Sequence, residues 1–496
     1  MIRGEGISKK ELINCNLCNN PKCTASCTKN MDPGKNIRSI WFDNSEVASM
    51  ELPEINPCAD CDADCEKGCV KNSKVPIKDV MNQLYEIKKE DHEVDRIDYD
   101  VLKTDFCGIP LENPFLLSSS VVASTYDMCA RAFEAGWAGI SFKTICNFDI
   151  HEASPRFSAI KGDDGGFVGF KNIEQLSDHS VEENMEIFRR LKEKYPTKFI
   201  LASIMGQTKE EWGYLAKKCE ENGADAIELN FSCPNMQEDG LGSDIGQIPE
   251  LVEEYTRIAK QSCNIPVLAK LTPNVDNMSP AAEAAIRGGA DGIAAINTIK
   301  SVTDVNIYTH VASPAVHGAS AFGGYSGNAV RPIALRFIAE LGKNEKLKGT
   351  HISGMGGIET WKNAVEFMLL GATSLQVTTA VMKYGYRIID DLKSGLALYL
   401  NQCGYKSVSE LVGEGLGSIY LSTDNLERDT IVYPHFLRDK CVGCGRCEIS
   451  CMDGGHQAIK CDENGKITMD PKKCVGCHLC ILVCPENAII PAKKRV

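Results

Sequence analysis

Two runs near the end of the chain place cysteines where iron–sulfur clusters need them: Cys441-x2-Cys444-x2-Cys447-x3-Cys451 and Cys474-x2-Cys477-x2-Cys480-x3-Cys484-Pro485. Three closely spaced thiolates cap three irons of one cubane, and the fourth cysteine of each run reaches the other cluster. The spacing therefore assigns Cys441, Cys444, Cys447 and Cys484 to one 4Fe–4S cluster, and Cys474, Cys477, Cys480 and Cys451 to a second. The duplicated spacing disfavours the alternative of two zinc sites, and Cys461 has no partner spacing. At the other end come Cys15-x2-Cys18-x4-Cys23-x3-Cys27 and Cys58-x2-Cys61-x3-Cys65-x3-Cys69. Those eight thiolates suit two further cubanes or structural zinc. Of the 24 cysteines, only seven lie between the two clusters. With no export signal, metal ligation explains the clusters better than a disulfide framework does.

One of the seven is set for proton chemistry. Cys233 sits in Glu228-Leu-Asn-Phe-Ser-Cys-Pro-Asn235, at the end of an apolar run and beside Asn230 and Ser232. A thiol on such a turn can shuttle a proton near neutral pH. Neighbouring apolar runs also end in polar residues: Lys143 and Thr144, Lys270, Asn297 and Thr298. A lysine at the inner end of an apolar strand is costly unless it meets an anion, so an anionic cofactor is expected. Gly354-Met-Gly-Gly357 and Thr378-Thr379 offer the glycine-rich turns that bind phosphate late in a barrel. A cofactor that joins two-electron chemistry to one-electron clusters is implied, and FMN meets both requirements. No G-x-G-x-x-G follows a strand and opens a helix; Gly413-Glu-Gly-Leu-Gly417 reads as a loop.

These residues need a scaffold, and the middle of the chain supplies one. Eight short apolar runs recur, starting at Pro114, Gly139, Phe199, Ala226, Pro266, Gly292, His351 and Ser374. Helix-like segments such as Lys209–Asn222 and Ile248–Ser262 lie between them. Eight strand–helix units over this extent read as an α/β fold, a (β/α)8 TIM barrel, rather than an open doubly wound sheet. The organisation expected is a cysteine-rich iron–sulfur module at 1–85, a charged linker at 86–103, an FMN-binding barrel at 104–425, and a two-cluster ferredoxin-like domain at 426–496. Two connections, from Thr144 to about Val181 and from Thr298 to about Val330, exceed ordinary loops of about 2–6 residues. Their glycines and aromatics, as in Gly165-Gly-Phe-Val-Gly-Phe170, predict ordered structure over the site. The net charge of −13 argues against a nucleic-acid binder. With no long apolar run and no signal-peptide core, a cytoplasmic protein without membrane spans is expected.

From about 104 to 490 the sequence resembles the catalytic subunit of bacterial NAD-dependent dihydropyrimidine dehydrogenases. The resemblance rests on Ser141-Phe-Lys-Thr-Ile145, Gly169-Phe-Lys-Asn-Ile-Glu174, Asn230-Phe-Ser-Cys-Pro234, Ala269-Lys-Leu-Thr-Pro-Asn274, Ile296-Asn-Thr298, Gly323-Gly-Tyr-Ser-Gly327 and the ferredoxin spacing from Cys441. It implies reduction of uracil or thymine at the 5,6-double bond, with Cys233 exchanging the proton at C5 and FMN the hydride at C6. It implies that Asn172, Glu174, Asn230, Ser232, Asn297 and Thr298 bind the base. It assigns FMN to Ser119, Lys143, Thr144, Lys270, Gly327, Gly356, Gly357, Thr378 and Thr379.

The N-terminal module is similar to the cysteine-rich head of that enzyme's other part. By resemblance, Cys15, Cys18, Cys23 and Cys69 form one cluster, and Cys27, Cys61 and Cys65 most of a second, completed by Gln83 or by Cys58. In the family that head precedes FAD and NAD(P) domains; here it runs straight into the barrel. An FAD/NAD-binding partner subunit or a ferredoxin is therefore expected as electron donor, in an oligomeric assembly. A dihydroorotate dehydrogenase-like enzyme is the alternative, sharing the FMN barrel and the cysteine base.

Overall fold

An apolar run with no polar alternation belongs to a strand buried on both faces. In the computed structural model, which describes residues 7, 9–72, 75–90, 94–162, 166–236 and 241–492, all eight runs form such strands. They are Phe115–Leu117, Gly139–Ile145, Phe199–Ile204, Ala226–Asn230, Val267–Lys270, Gly292–Ala295, His351–Met355 and Ser374–Val377. Each pairs in parallel with its sequence neighbours, and the eighth strand also pairs with the first, so the sheet closes into a barrel. The register sets Asn230 beside Lys270 and Met355 beside Gln376. Polar side chains from different strands thus reach one end of the barrel.

The outer helices start where side chains satisfy their free N–H groups. Ser180 with Glu183, and Thr208 with Glu211, form reciprocal capping boxes for Val181–Lys194 and Lys209–Glu221. Their apolar faces pack on the barrel; Phe188 meets Phe142 edge to face at 5.0 Å. Truncating such a buried ring typically costs about 3–5 kcal/mol. The opposite end of the barrel is plugged by the hairpin Thr104–Phe106 and Ile109–Leu111, whose Phe106 ring lies 4.3 Å from His351 and 4.5 Å from Phe199.

Described strands of the two long connections meet. Ile299–Ser301, Gly323–Ser326, Phe167–Asn172 and Phe157–Lys161 form one antiparallel sheet in that order. Gly169 has no side chain because Tyr325 fills its space: a Cβ there would lie 1.6 Å from the phenol oxygen. Gly165, which opens the glycine–aromatic run, lies outside the described residues.

The cysteine-rich head is helical, with Pro33–Trp41, Ser45–Met50 and Ile77–Lys88 around a small core of Ile37, Ile40, Val80 and Leu84. It belongs to one unit with the barrel, Met1–Ile419, while Tyr420–Val496 forms the other. Arg38 and Ser39 bond Asp391, and Trp361 donates to the carbonyl of Asp43 at 2.9 Å. Within the segment expected as a linker, the first helix-like part ends at Lys88, residues 91–93 lie outside the described set, and Val101 and Leu102 are buried in the barrel's core. In the second unit, Pro434–Phe436 pairs with Ile489–Pro491 and Ile459–Cys461 with Ile467–Met469, flanking the helices Arg446–Gly454 and Leu479–Leu482.

Candidate active site and cluster sites

The strand ends and the antiparallel sheet line a cavity open to solvent, with about 1110 Å3 of space including its mouth. Ser119, Lys143, Thr144, Lys270, Gly327, Gly356, Gly357, Thr378 and Thr379 all line it. So do Asn172, Glu174, Asn230, Cys233, Asn297 and Thr298. Ser232 is fully buried behind them. Its hydroxyl donates to Asn230 Oδ1 at 2.9 Å and accepts from Asn297 Nδ2 at 2.8 Å, which locks both amides in place. Asn230 Nδ2 in turn donates to Thr144 Oγ1 at 2.9 Å.

Cys233 lies just past the fourth strand and is 6% exposed. Burial pushes its thiol up to about 11, opposed by the nearby backbone N–H of Asn235 and by Lys270 and Lys143. At neutral pH it therefore carries its proton.

Both cavity lysines have carboxylate partners within the chain. Lys270 Nζ lies 3.1 Å from Glu228, and Lys143 Nζ 3.3 Å from Glu174 and 3.6 Å from Glu152. Within the chain, the anions that offset these two buried lysines are carboxylates. Burial raises the Glu174 carboxyl and Glu152 adds to this, while Lys143 and Arg156 pull it down.

Two cavity residues, Asn235 and Gln376, and Glu228 buried beneath them were given no role by the sequence reading. Asn235 donates to the Glu174 carbonyl at 2.7 Å and to Asn172 Oδ1 at 3.2 Å, joining the fourth strand's turn to the roof sheet. Gln376 donates to Glu228 Oε2 at 3.0 Å. The side-chain carbonyl oxygens of Asn235 and Gln376 are buried and have no hydrogen-bond partner among the described residues. Glu228 opens the motif that carries Cys233, but its own side chain was given no part in the site. A strand's inward positions alternate, so Glu228 two residues before Asn230, and Gln376 two after Ser374, carried a readable signal.

The thiols gather as quartets. One cavity is ringed by Cys15, Cys18, Cys23 and Cys69, and another by Cys27, Cys58, Cys61 and Cys65. Burial, and then Cys61 and Cys27, push the Cys58 thiol up to about 11. Gln83 is not brought to that cavity. Its amide donates to Glu11 at 2.9 Å, because it faces a different side of the helix Ile77–Lys88 from Met81 and Lys78, which do line the cavity. In the second unit a cavity is ringed by Cys451, Cys474, Cys477 and Cys480, the crossed set that the spacing assigns to one cubane. The Cys447 thiol is raised by burial, with Cys441 and Cys444 adding to it. Backbone N–H groups point at two of the sulfurs, from Ala458 to Cys451 at 3.3 Å and from Ala488 to Cys484 at 3.2 Å. Among the described residues no three Cys, His, Asp or Glu converge on a point that one metal ion could occupy. Cys461 lines none of these cavities.

A closed barrel with a polar cavity at its strand ends, and a separate unit bearing paired cysteine runs, defines an FMN- and iron–sulfur-dependent oxidoreductase. Residues 101–400 match the dihydroorotate dehydrogenase family and residues 435–490 the 4Fe-4S dicluster domain. The chain is 53% identical over 362 residues to the NAD-dependent dihydropyrimidine dehydrogenase subunit PreA of Escherichia coli K12, covering 73% of this chain and 88% of that protein. It is 36% identical over 334 residues to the chloroplastic dihydropyrimidine dehydrogenase (NADP(+)) of Arabidopsis thaliana, covering 65% and 78%. It is 38% identical over 321 residues to the catalytic subunit of dihydroorotate dehydrogenase B (NAD(+)) of Pyrococcus abyssi, covering 64% and 99%. The chain belongs to the dihydropyrimidine dehydrogenase family and is an oxidoreductase. Among the described residues no helix is long and apolar enough to cross a membrane.

Proposed function

We propose that the chain interconverts uracil or thymine and the 5,6-dihydro base, with Cys233 moving the proton at C5. The observation that carries this reading is the buried, protonated Cys233 thiol in a cavity also lined by the carboxamides of Asn172, Asn230 and Asn297. Carboxamides both donate and accept, which matches the amide edges of a pyrimidine. Asn172, Glu174, Asn230, Asn297 and Thr298 hold the base, and Ser232 acts through Asn230 and Asn297.

The residues present fit FMN. The turn at Gly356 and Gly357 runs at φ +124° and +83°, a conformation open to glycine, at the seventh strand's end, where barrels bind phosphate. Thr378, Thr379 and Gly327 flank it in the cavity, and Gln376 leaves a buried carbonyl without a partner. When bound, FMN supplies or accepts the hydride at C6. Ser119, Thr144, Lys143 and Lys270 line the rest of its bed.

Four 4Fe–4S clusters are assigned to the four thiol quartets, with Cys58 rather than Gln83 in the second. A nicotinamide delivers electrons in pairs and clusters take them singly, so a flavin must stand between them. An FAD- and nicotinamide-binding partner subunit, or a ferredoxin, is the proposed source.

The likeness to dihydroorotate dehydrogenase B favours a second reading. Orotate carries a carboxylate, however, while Glu174 lines this cavity and both lysines are already paired. A neutral base suits that charge balance. The test is anaerobic mixing of the purified protein with dihydrouracil or dihydroorotate, following bleaching of flavin and cluster absorbance. Bleaching by dihydrouracil is expected; bleaching by dihydroorotate alone overturns the proposal.

A further inference from the structure

The floor of the cavity holds a constellation that the proton chemistry does not use. Glu228 is fully buried inside the barrel. Its Oε1 accepts from Lys270 Nζ at 3.1 Å and from Ser141 Oγ at 3.0 Å. Its Oε2 accepts from Gln376 Nε2 at 3.0 Å, and the same Nε2 donates to Ser353 Oγ at 3.1 Å. Both N–H groups of the Gln376 amide are therefore engaged. A carboxylate only accepts, so the amide nitrogen must face Glu228 and the carbonyl oxygen must face away from it. That oxygen, on a residue 1% exposed that lines the cavity, has no partner among the described residues. A buried carbonyl is costly to leave unmet, so the position calls for a ligand N–H.

Lys270 lines the same cavity. Glu228 thus holds two groups in place at once, a cationic donor and a neutral acceptor. Their complement is a ring edge that sets a carbonyl beside an N–H. Oxidised isoalloxazine has one ring N–H, at N3, flanked by carbonyls; its dimethylated edge has neither group. We propose that Gln376 Oε1 accepts the flavin N3–H, and that Glu228 is a positioning residue that fixes the Gln376 amide and the Lys270 ammonium against the flavin's imide edge. This rests on the assignment of FMN to the cavity.

The experiment strips flavin from the full-length protein and titrates it with FMN and with 3-methyl-FMN, which lacks the N–H. Binding is read by fluorescence quenching and by flavin retained on gel filtration. The unsubstituted protein should prefer FMN by about tenfold or more, the worth of a hydrogen bond to a buried acceptor. In Gln376→Ala, which removes the carbonyl and leaves room for the methyl group, the two affinities should agree within about twofold. Glu228→Gln can both donate and accept, frees the Gln376 amide to turn, and should shrink the preference while iron content stays unchanged. Where Glu228→Gln fails to fold, Gln376→Ala alone decides. Equal binding of both flavins by the unsubstituted protein, or a preference that survives in Gln376→Ala, overturns the proposal. If the unsubstituted protein binds neither flavin, the FMN assignment falls and takes this inference with it.

Discussion

Asp391, on the helix Ile388–Cys403 that follows the eighth barrel strand, accepts the Nε–H of Arg38 from the cysteine-rich head at 2.8 Å. The carboxylate is 2% exposed and also takes the Ser39 hydroxyl at 2.6 Å. Nearby, Arg387 donates to the backbone carbonyls of Leu17 and Cys18, on the loop that carries two of the head's thiols. The head is thereby anchored through charged groups that are costly to bury singly.

Removing one member of such a buried pair is expected to cost about 3–5 kcal/mol. Asp391→Ala should therefore loosen the head while leaving the barrel folded. Limited proteolysis should cut the variant between the head and the first barrel strand much faster than the parent chain, with the barrel fragment surviving. Equal cleavage rates in the two proteins would show that the ion pair does not anchor the head.

Cys233→Ala should lower turnover about 10²–10⁴-fold, the usual worth of a general acid. Flavin content should be unchanged, because the thiol is not among the residues assigned to FMN. With the thiol at about 11, reduction of the base needs the protonated form and should be flat from neutral pH to about pH 9. Oxidation of the dihydro base needs the thiolate, so its rate should rise about tenfold per pH unit over the same range. Parallel pH profiles in the two directions would remove Cys233 from the proton step.

Iron analysis of anaerobically purified protein should approach about sixteen irons per chain, four cubanes' worth. Cys58→Ser should lose a cluster signal in electron paramagnetic resonance, and Gln83→Ala should not. The reverse pattern would restore the glutamine as ligand. About half the iron, with zinc bound instead, would make the head structural.

The isolated chain should not oxidise NADH or NADPH in the presence of uracil, since it lacks a strand–turn–helix glycine fingerprint for a dinucleotide. Nicotinamide absorbance is followed without other proteins present. Brisk oxidation coupled to dihydrouracil formation would refute the two-component scheme.

The barrel was legible because a parallel strand buried on both faces leaves an unbroken apolar run, and all eight runs became strands. Lys209–Glu221 was legible from its ends, where Thr208 and Glu211 form a cap. The pairing of Gly324 with Asn172 was not, because strands from two distant connections choose each other by tertiary fit and neither carries the partner's address. Gln83 is a related case. Its setting in the sequence matched a ligand's, but its place around the helix turned it toward Glu11 and left the cavity to Cys58. Cys233 and its motif were readable because a strand end, a proline and polar neighbours coincide in eight residues.

The roof over the cavity is woven from both long connections, and one panel of it spans both ends of the bed. Asn172, assigned above to the base, sits on it, while Ser326, on the adjoining strand, shares a hydrogen bond of 2.9 Å with Thr379, assigned to the FMN phosphate. A hatch on a single hinge could lift from the substrate and stay latched over the cofactor. A panel whose strands are stitched across both could not do so, and on the assignments proposed above, lifting it from a base would loosen the cover of the flavin as well. The grip that keeps a cofactor in place through many turnovers must then come from beneath, from the strand ends of the barrel itself.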